Sequence, residues 1–126
     1  MIKKVLTLLF GAFMIYAGVS HFRKPEIFFP FIPSFLPEEG FNYLVGIVEI
    51  IVGIGAFIPK FRPQATLGIL LLMIIFLPLH MMDVFKENPA IGTHQAALIR
   101  LPIQFVLIGW AWYISKAEKP PLSIFQ

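Results

Sequence analysis

The residues of this 126-residue sequence that could do chemistry are a few polar side chains set inside apolar stretches. Glu49 lies in the stretch 41–58, with Gly46 three residues before it and Gly53 four residues after it. On a helix this spacing puts the carboxylate and both glycines on one face, where a second helix can approach closely. A charge costs about 2.5–3.5 kcal/mol at the centre of a membrane helix. Glu49 is therefore predicted to point into a helix bundle.

Four further polar side chains lie in or at the ends of the other apolar stretches: His21, His80, Arg100 and Gln104. Arg100 and Gln104 share a helix face because they are four residues apart. If the stretches cross a membrane in alternating directions, all four side chains approach the level of Glu49. We predict one polar network with an ion pair between Arg100 and Glu49, since a guanidinium can satisfy a buried carboxylate with two parallel hydrogen bonds.

The polar residues allow several roles. The Arg100–Glu49 pair could fix the register of the helices, and Arg100 could instead reach the lipid headgroups from its helix end. The histidines could each make one structural hydrogen bond. Alternatively, the five side chains could direct a ligand in an otherwise apolar pocket.

Metal and hydrolytic chemistry are disfavoured. Histidine and carboxylate ligands suit zinc or iron, but no two histidines have a helical i, i+4 spacing and Arg100 would repel a cation. The serines form no nucleophile elbow or triad. We predict no metal site, no catalytic residue and a binding protein rather than an enzyme.

The elements that position these residues follow from composition. The sequence is 58% hydrophobic and only 13% charged, with a mean hydropathy of +0.83, whereas soluble domains carry about 25% charged residues. Since a membrane helix needs about 20 apolar residues, we predict an all-α, integral membrane four-helix bundle. The single transmembrane domain comprises residues 1–126, with spans at 5–22, 41–58, 65–82 and 96–115.

Other protein classes are excluded. The absence of cysteine excludes disulfides, thiolate nucleophiles and thiol redox pairs. The net charge is +3 and the sequence has no run of basic residues, so no nucleic-acid partner is expected.

The first span follows Lys3 and Lys4, as the apolar part of a signal peptide would. Val19 is a poor residue before a cleavage site, however, and we predict an uncleaved helix.

Basic residues predict the orientation. Six lie on one side of the predicted spans and three on the other, which places both termini in the cytoplasm. Trp110, Trp112 and Tyr113 fit the same inner interface.

The segment 28–37 between the first two spans is apolar but interrupted by proline every few residues. Proline removes a backbone donor, so this segment cannot span a bilayer unaided. It is either an interfacial anchor or a lid over a pocket.

Three motifs together resemble the DoxX-like family of small four-helix membrane proteins. They are the sequence 18–22 followed by Pro25, the helix from Gly46 to Gly53 with Glu49, and the sequence 100–104. The resemblance covers about residues 6–114 and implies a bundle in the bacterial inner membrane, with His21, Glu49, Arg100, Gln104 and, less closely, His80 at the family's polar positions. The wider superfamily includes subunits of quinone-linked oxidases, a methylamine-utilisation maturation protein and NACHO-type receptor chaperones.

These observations predict a DoxX-like protein that binds a small amphiphile, a quinone or a lipid, in an outer-leaflet polar pocket. An alternative is an assembly or chaperone partner of another membrane protein, suggested by the glycines on the helix faces. A third is an accessory subunit of a quinone-linked oxidoreductase, which rests on family analogy alone. No resident cofactor is predicted, and the oligomeric state is left open.

Overall fold

The computed structural model describes residues 1–116, which form an all-α bundle. Its four long helices are α1 (Ile2–Arg23), α2 (Glu38–Phe57), α3 (Arg62–Val84) and α4 (His94–Lys116). All four predicted spans are confirmed as helices, with ends within three residues of the predicted limits.

Each helix is long and apolar enough to cross a membrane. A helix satisfies its backbone groups internally, as the bilayer core demands. The outer faces are built from large exposed apolar side chains, such as Ile47, Ile51 and Ile54 along α2. These are the properties of an integral membrane protein.

Helices α1 and α2 pack closely in opposite directions through two pairs of glycines. A Cβ atom added to Gly18 would lie 2.6 Å from the carbonyl oxygen of Gly46, and one added to Gly53 would lie 2.7 Å from that of Gly11. Glycine is needed at these positions because the two backbones touch. The predicted close-packing face of Glu49 is thereby confirmed, and it is α1 that approaches it.

The two ends of the bundle differ. At the end that contains Lys3, the Lys3 ammonium lies over the Tyr113 ring and the Trp110 indole donates to the Leu6 carbonyl at 3.2 Å, so α1 contacts α4 there. Phe10 also packs on Trp110 with ring centroids 4.6 Å apart. We call this the Lys3 end and the opposite one the His21 end.

The proline-broken segment folds back over the His21 end. The connection between α1 and α2 forms two 3-10 turns, Pro25–Ile27 just before the segment and Phe29–Phe31 within it. The ring of Phe28 stacks on His21 with centroids 3.8 Å apart, and Phe31 meets His80 edge to face. Lys86, from the loop between α3 and α4, donates to the Pro30 carbonyl at 2.9 Å. The segment is therefore held against three of the helices and their loops.

Candidate functional site

A cavity of about 390 Å³ lies inside the bundle towards the His21 end. Its walls come from all four helices and from the two 3-10 turns. Most of the lining is apolar, and ligand pockets commonly combine such walls with a few polar groups. All five polar residues singled out from the sequence line it: His21, Glu49, His80, Arg100 and Gln104.

On the α1–α2 side, the cavity carries a buried triad of His21, Asn42 and Glu49. The Asn42 amide nitrogen donates to the His21 carbonyl at 2.9 Å, and its oxygen lies 2.6 Å from His21 Nδ1. His21 Nε2 lies 2.9 Å from Glu49 Oε1. The glycine contact makes this possible, because His21 Cβ packs directly against Gly46.

The triad determines where its protons lie. The Asn42 amide nitrogen must donate to the carbonyl, so its oxygen is left as an acceptor and His21 Nδ1 carries a proton. His21 Nε2 faces Glu49 Oε1 at 2.9 Å. With one proton between them the pair is neutral, either as imidazolium with carboxylate or as imidazole with carboxylic acid. The basic group that faces Glu49 is thus supplied by α1.

On the α4 side, Arg100 is paired with Gln104. Arg100 Nη2 donates to the Gln104 side-chain oxygen at 3.0 Å, and Gln104 Nε2 donates to the Met73 carbonyl of α3 at 2.6 Å. Gln104 is fully buried. The shared helix face predicted for Arg100 and Gln104 is confirmed.

The predicted Arg100–Glu49 ion pair is not formed. The spacing of residues does not specify which helix neighbours α2, and the glycines bring α1 and its His21 against Glu49 instead. Arg100, on α4, makes no ion pair with any residue in the range 1–116. The polar network consequently has two halves, one on each side of the cavity.

On the α3 and α4 side of the cavity, His80 and Arg100 have hydrogen-bonding capacity to spare. Arg100 Nη1 is buried and has no hydrogen-bond partner within the described residues. His80 contacts the ring of Phe31, and neither of its ring nitrogens is hydrogen-bonded to another part of the described chain. An unpaired buried donor costs about 1–3 kcal/mol, so a bound acceptor at Arg100 would recover that energy.

The cavity reaches the protein surface beside α1, because exposed side chains of this helix line it. Its most exposed lining residue is Tyr16, at 72%, followed on the same helix by Phe13 at 42%. Both lie along α1 between its contact with α4 at the Lys3 end and the 3-10 turns at the His21 end. With the 3-10 turns covering the His21 end, the opening faces the region where lipid chains would lie.

Two polar residues near the site were not identified correctly from the sequence. Asn42 was missed, although it lies four residues before Gly46 and seven before Glu49, on the same face of α2. No contact was predicted for Asp83, whose carboxylate accepts from the backbone amides of Ala90 and Ile91 and so shapes the α3–α4 loop. His94 is exposed. Across residues 1–116, no three acidic or histidine side chains cluster as metal ligands would.

Comparison with known protein families gives a match over most of the chain. The model of a family described as "Domain of unknown function (DUF8561)" matches residues 10–115. The chain belongs to the DUF8561 family. No curated protein and no solved structure matches it.

The DUF8561 match includes all five predicted polar residues and Asn42, as well as both glycine pairs. The family description assigns no activity. The resemblance to DoxX-like proteins stays a prediction.

Proposed function

We propose that this DUF8561 protein binds a small amphiphile, a quinone or a lipid, in the cavity at the His21 end. The observation that carries the proposal is the composition of the cavity: an apolar chamber of about 390 Å³ with polar side chains from all four helices at its walls. Its size falls within the range of about 300–1,000 Å³ typical of ligand pockets. The opening beside α1 suits a ligand that enters from the bilayer.

The cellular setting belongs to the same proposal. Both termini lie in the cytoplasm and the membrane is a bacterial inner membrane, so the cavity lies in the outer leaflet. Support comes from the basic residues of the loops and from the resemblance to DoxX-like proteins. The ring of Trp112 under the Lys116 ammonium fits an interfacial anchor at the Lys3 end.

Filling the cavity tests the proposal. Ala17 lines it, whereas Ala12 is exposed on another face of the same helix. We expect Ala17→Phe to occupy the chamber and eliminate ligand retention, and the matched Ala12→Phe to retain it. The measurement is native mass spectrometry of the detergent-purified protein, with its co-purified molecules and with added decylubiquinone.

The result has a direct interpretation. A molecule that remains bound to wild type and Ala12→Phe and is lost from Ala17→Phe supports the binding function. If Ala17→Phe retains every molecule that the wild type holds, the cavity is not the binding site and the proposal is wrong.

The glycines no longer favour a role as an assembly or chaperone partner. Gly11, Gly18, Gly46 and Gly53 are all used in the contact between α1 and α2. Gly55 is used as well, because a Cβ added there would lie 2.9 Å from Ala65 Cβ of α3. The partner and oxidoreductase-subunit hypotheses stay predictions without a structural observation behind them.

A further inference from the structure

The charges around the cavity specify the ligand more closely. Resting on the proposed function, we infer that the ligand is an anionic amphiphile, whose oxyacid headgroup binds Arg100 and whose apolar chain fills the chamber. A carboxylate on a fatty chain and the phosphate of a single-chain lipid share this chemistry.

Arg100 has no counterion among residues 1–116. Among the residues that the structure describes, Glu49 is the only acid that lines the cavity, and the basic group in contact with it is His21, at 2.9 Å, and not Arg100. Of the other described acids, Asp83 accepts two backbone hydrogen bonds and lies 4.0 Å from Lys86 Nζ. The remaining acids near this end are exposed and none lines the cavity: Glu26, Glu38, Glu39 and Glu87.

Arg100 is also held in place, and its Nη1 is left unpaired among the described residues. Gln104 fixes Nη2 at 3.0 Å and is itself fixed by the Met73 carbonyl. Nη1 is buried and unpartnered within the described chain. A guanidinium has no acceptor atom, so it can bind only an oxygen or another acceptor, and an anionic oxygen forms the strongest such bond.

His80 is a second hydrogen-bonding group in the cavity. His80 lines the same cavity with ring nitrogens that bond nothing else in residues 1–116. It can therefore donate to a second oxygen of the same headgroup. A neutral quinone would satisfy these donors but would leave the charge of Arg100 unbalanced in a medium of low dielectric constant.

Competition binding tests the inference. Purified protein in mild detergent is loaded with tritiated oleate and challenged with unlabelled oleate, oleyl alcohol, oleoyl lysophosphatidate or decylubiquinone. Oleate and oleyl alcohol have the same chain and differ in the charged head. We expect oleate or lysophosphatidate to compete at a concentration at least about tenfold below that of oleyl alcohol. Hydrogen bonds to charged groups are stronger than neutral ones by an energy that corresponds to about a tenfold difference in affinity. Which acid competes better identifies the source of the headgroup.

Variants of Arg100 test whether this residue causes the preference for the acids over the alcohol. Arg100→Gln is expected to lose the discrimination between acid and alcohol, while Arg100→Lys retains most of it. Arg23→Gln is the matched control, because Arg23 is exposed at the same end and does not line the cavity. The comparison of acid with alcohol in the wild type needs no variant, so a misfolded Arg100→Gln does not prevent the test.

The outcomes separate this inference from the proposed function. If oleyl alcohol competes as well as both acids, or if Arg100→Gln keeps the preference, the anionic ligand is refuted. If native mass spectrometry finds decylubiquinone bound and neither acid competes for it, the anionic ligand is again refuted while the amphiphile-binding function stands. If no probe binds the wild type and Ala17→Phe changes nothing, both are wrong.

Discussion

One methyl group added at Gly18 should separate the two helices that hold the triad. The new Cβ would lie 2.6 Å from the Gly46 carbonyl oxygen and 2.6 Å from Ile50 Cγ1. Ordinary contact begins at 3.4 Å, so α1 must move locally by about 0.8 Å, the difference between the two distances. The carbonyl belongs to the α2 backbone and cannot rotate away, so the strain falls on the helix pair.

Two opposing effects determine how far Gly18→Ala changes the stability of the protein. Overpacking of this kind costs about 1–3 kcal/mol, and replacing glycine by alanine in a helix recovers about 0.5–1 kcal/mol. Because one clash is with backbone, we expect the upper part of the first range and a net loss of about 1–2 kcal/mol. Gly109→Ala is the matched control. A Cβ added to Gly109 meets nothing within 4 Å. The free energy of unfolding of this variant should therefore rise by about 0.5–1 kcal/mol.

The assay is unfolding of the purified variants in mixed micelles with increasing sodium dodecyl sulfate, followed by circular dichroism. The free energies of unfolding of Gly18→Ala and Gly109→Ala should differ by about 1.5–3 kcal/mol, with the wild type between them. Gly18→Ala should also retain less ligand, because His21 moves with α1. If Gly18→Ala is as stable as Gly109→Ala, the close α1–α2 contact does not exist and the geometry of the triad is refuted.

Three further predictions concern polar contacts. Asn42→Leu should lower stability by about 2–4 kcal/mol, because the carbonyl and Nδ1 of His21 both lose their buried partner; unchanged detergent unfolding would contradict this. Asp83→Asn should cost about 1–2 kcal/mol in the same assay, since one amide oxygen cannot accept both loop amides as well as a carboxylate does. Lys86→Met removes the exposed bond to Pro30, so hydrogen exchange across 25–36 should accelerate while unfolding of the bundle changes by less than about 1 kcal/mol.

The fold could be predicted from the sequence because its main determinants are local. Runs of about 20 apolar residues, separated by prolines and charges, specify the four helices. The glycines three and four residues from Glu49 specify the face that packs. Neither pattern specifies which helix lies against the glycine face of α2, since that depends on how all four helices pack together.

The site was predictable as a set of residues and not as a set of contacts. A buried polar residue in an apolar helix needs a partner, which is why each of the five side chains could be identified. Choosing Arg100 as the partner of Glu49 followed charge alone. The structure pairs Glu49 with His21, because close backbone contact brings a weaker base nearer than the stronger one.

The closest helix pairs are α1 with α2 and α3 with α4, and this has a consequence for biogenesis. Each pair is a helical hairpin joined by a connection within one half of the chain, so it can form as soon as its second helix leaves the ribosome. The cavity is lined by helices of both hairpins, so its walls are complete only when the two hairpins meet. We therefore expect residues 1–59 and 60–126, produced as separate polypeptides in one cell, to associate in the membrane, and the cavity to exist only after they have done so.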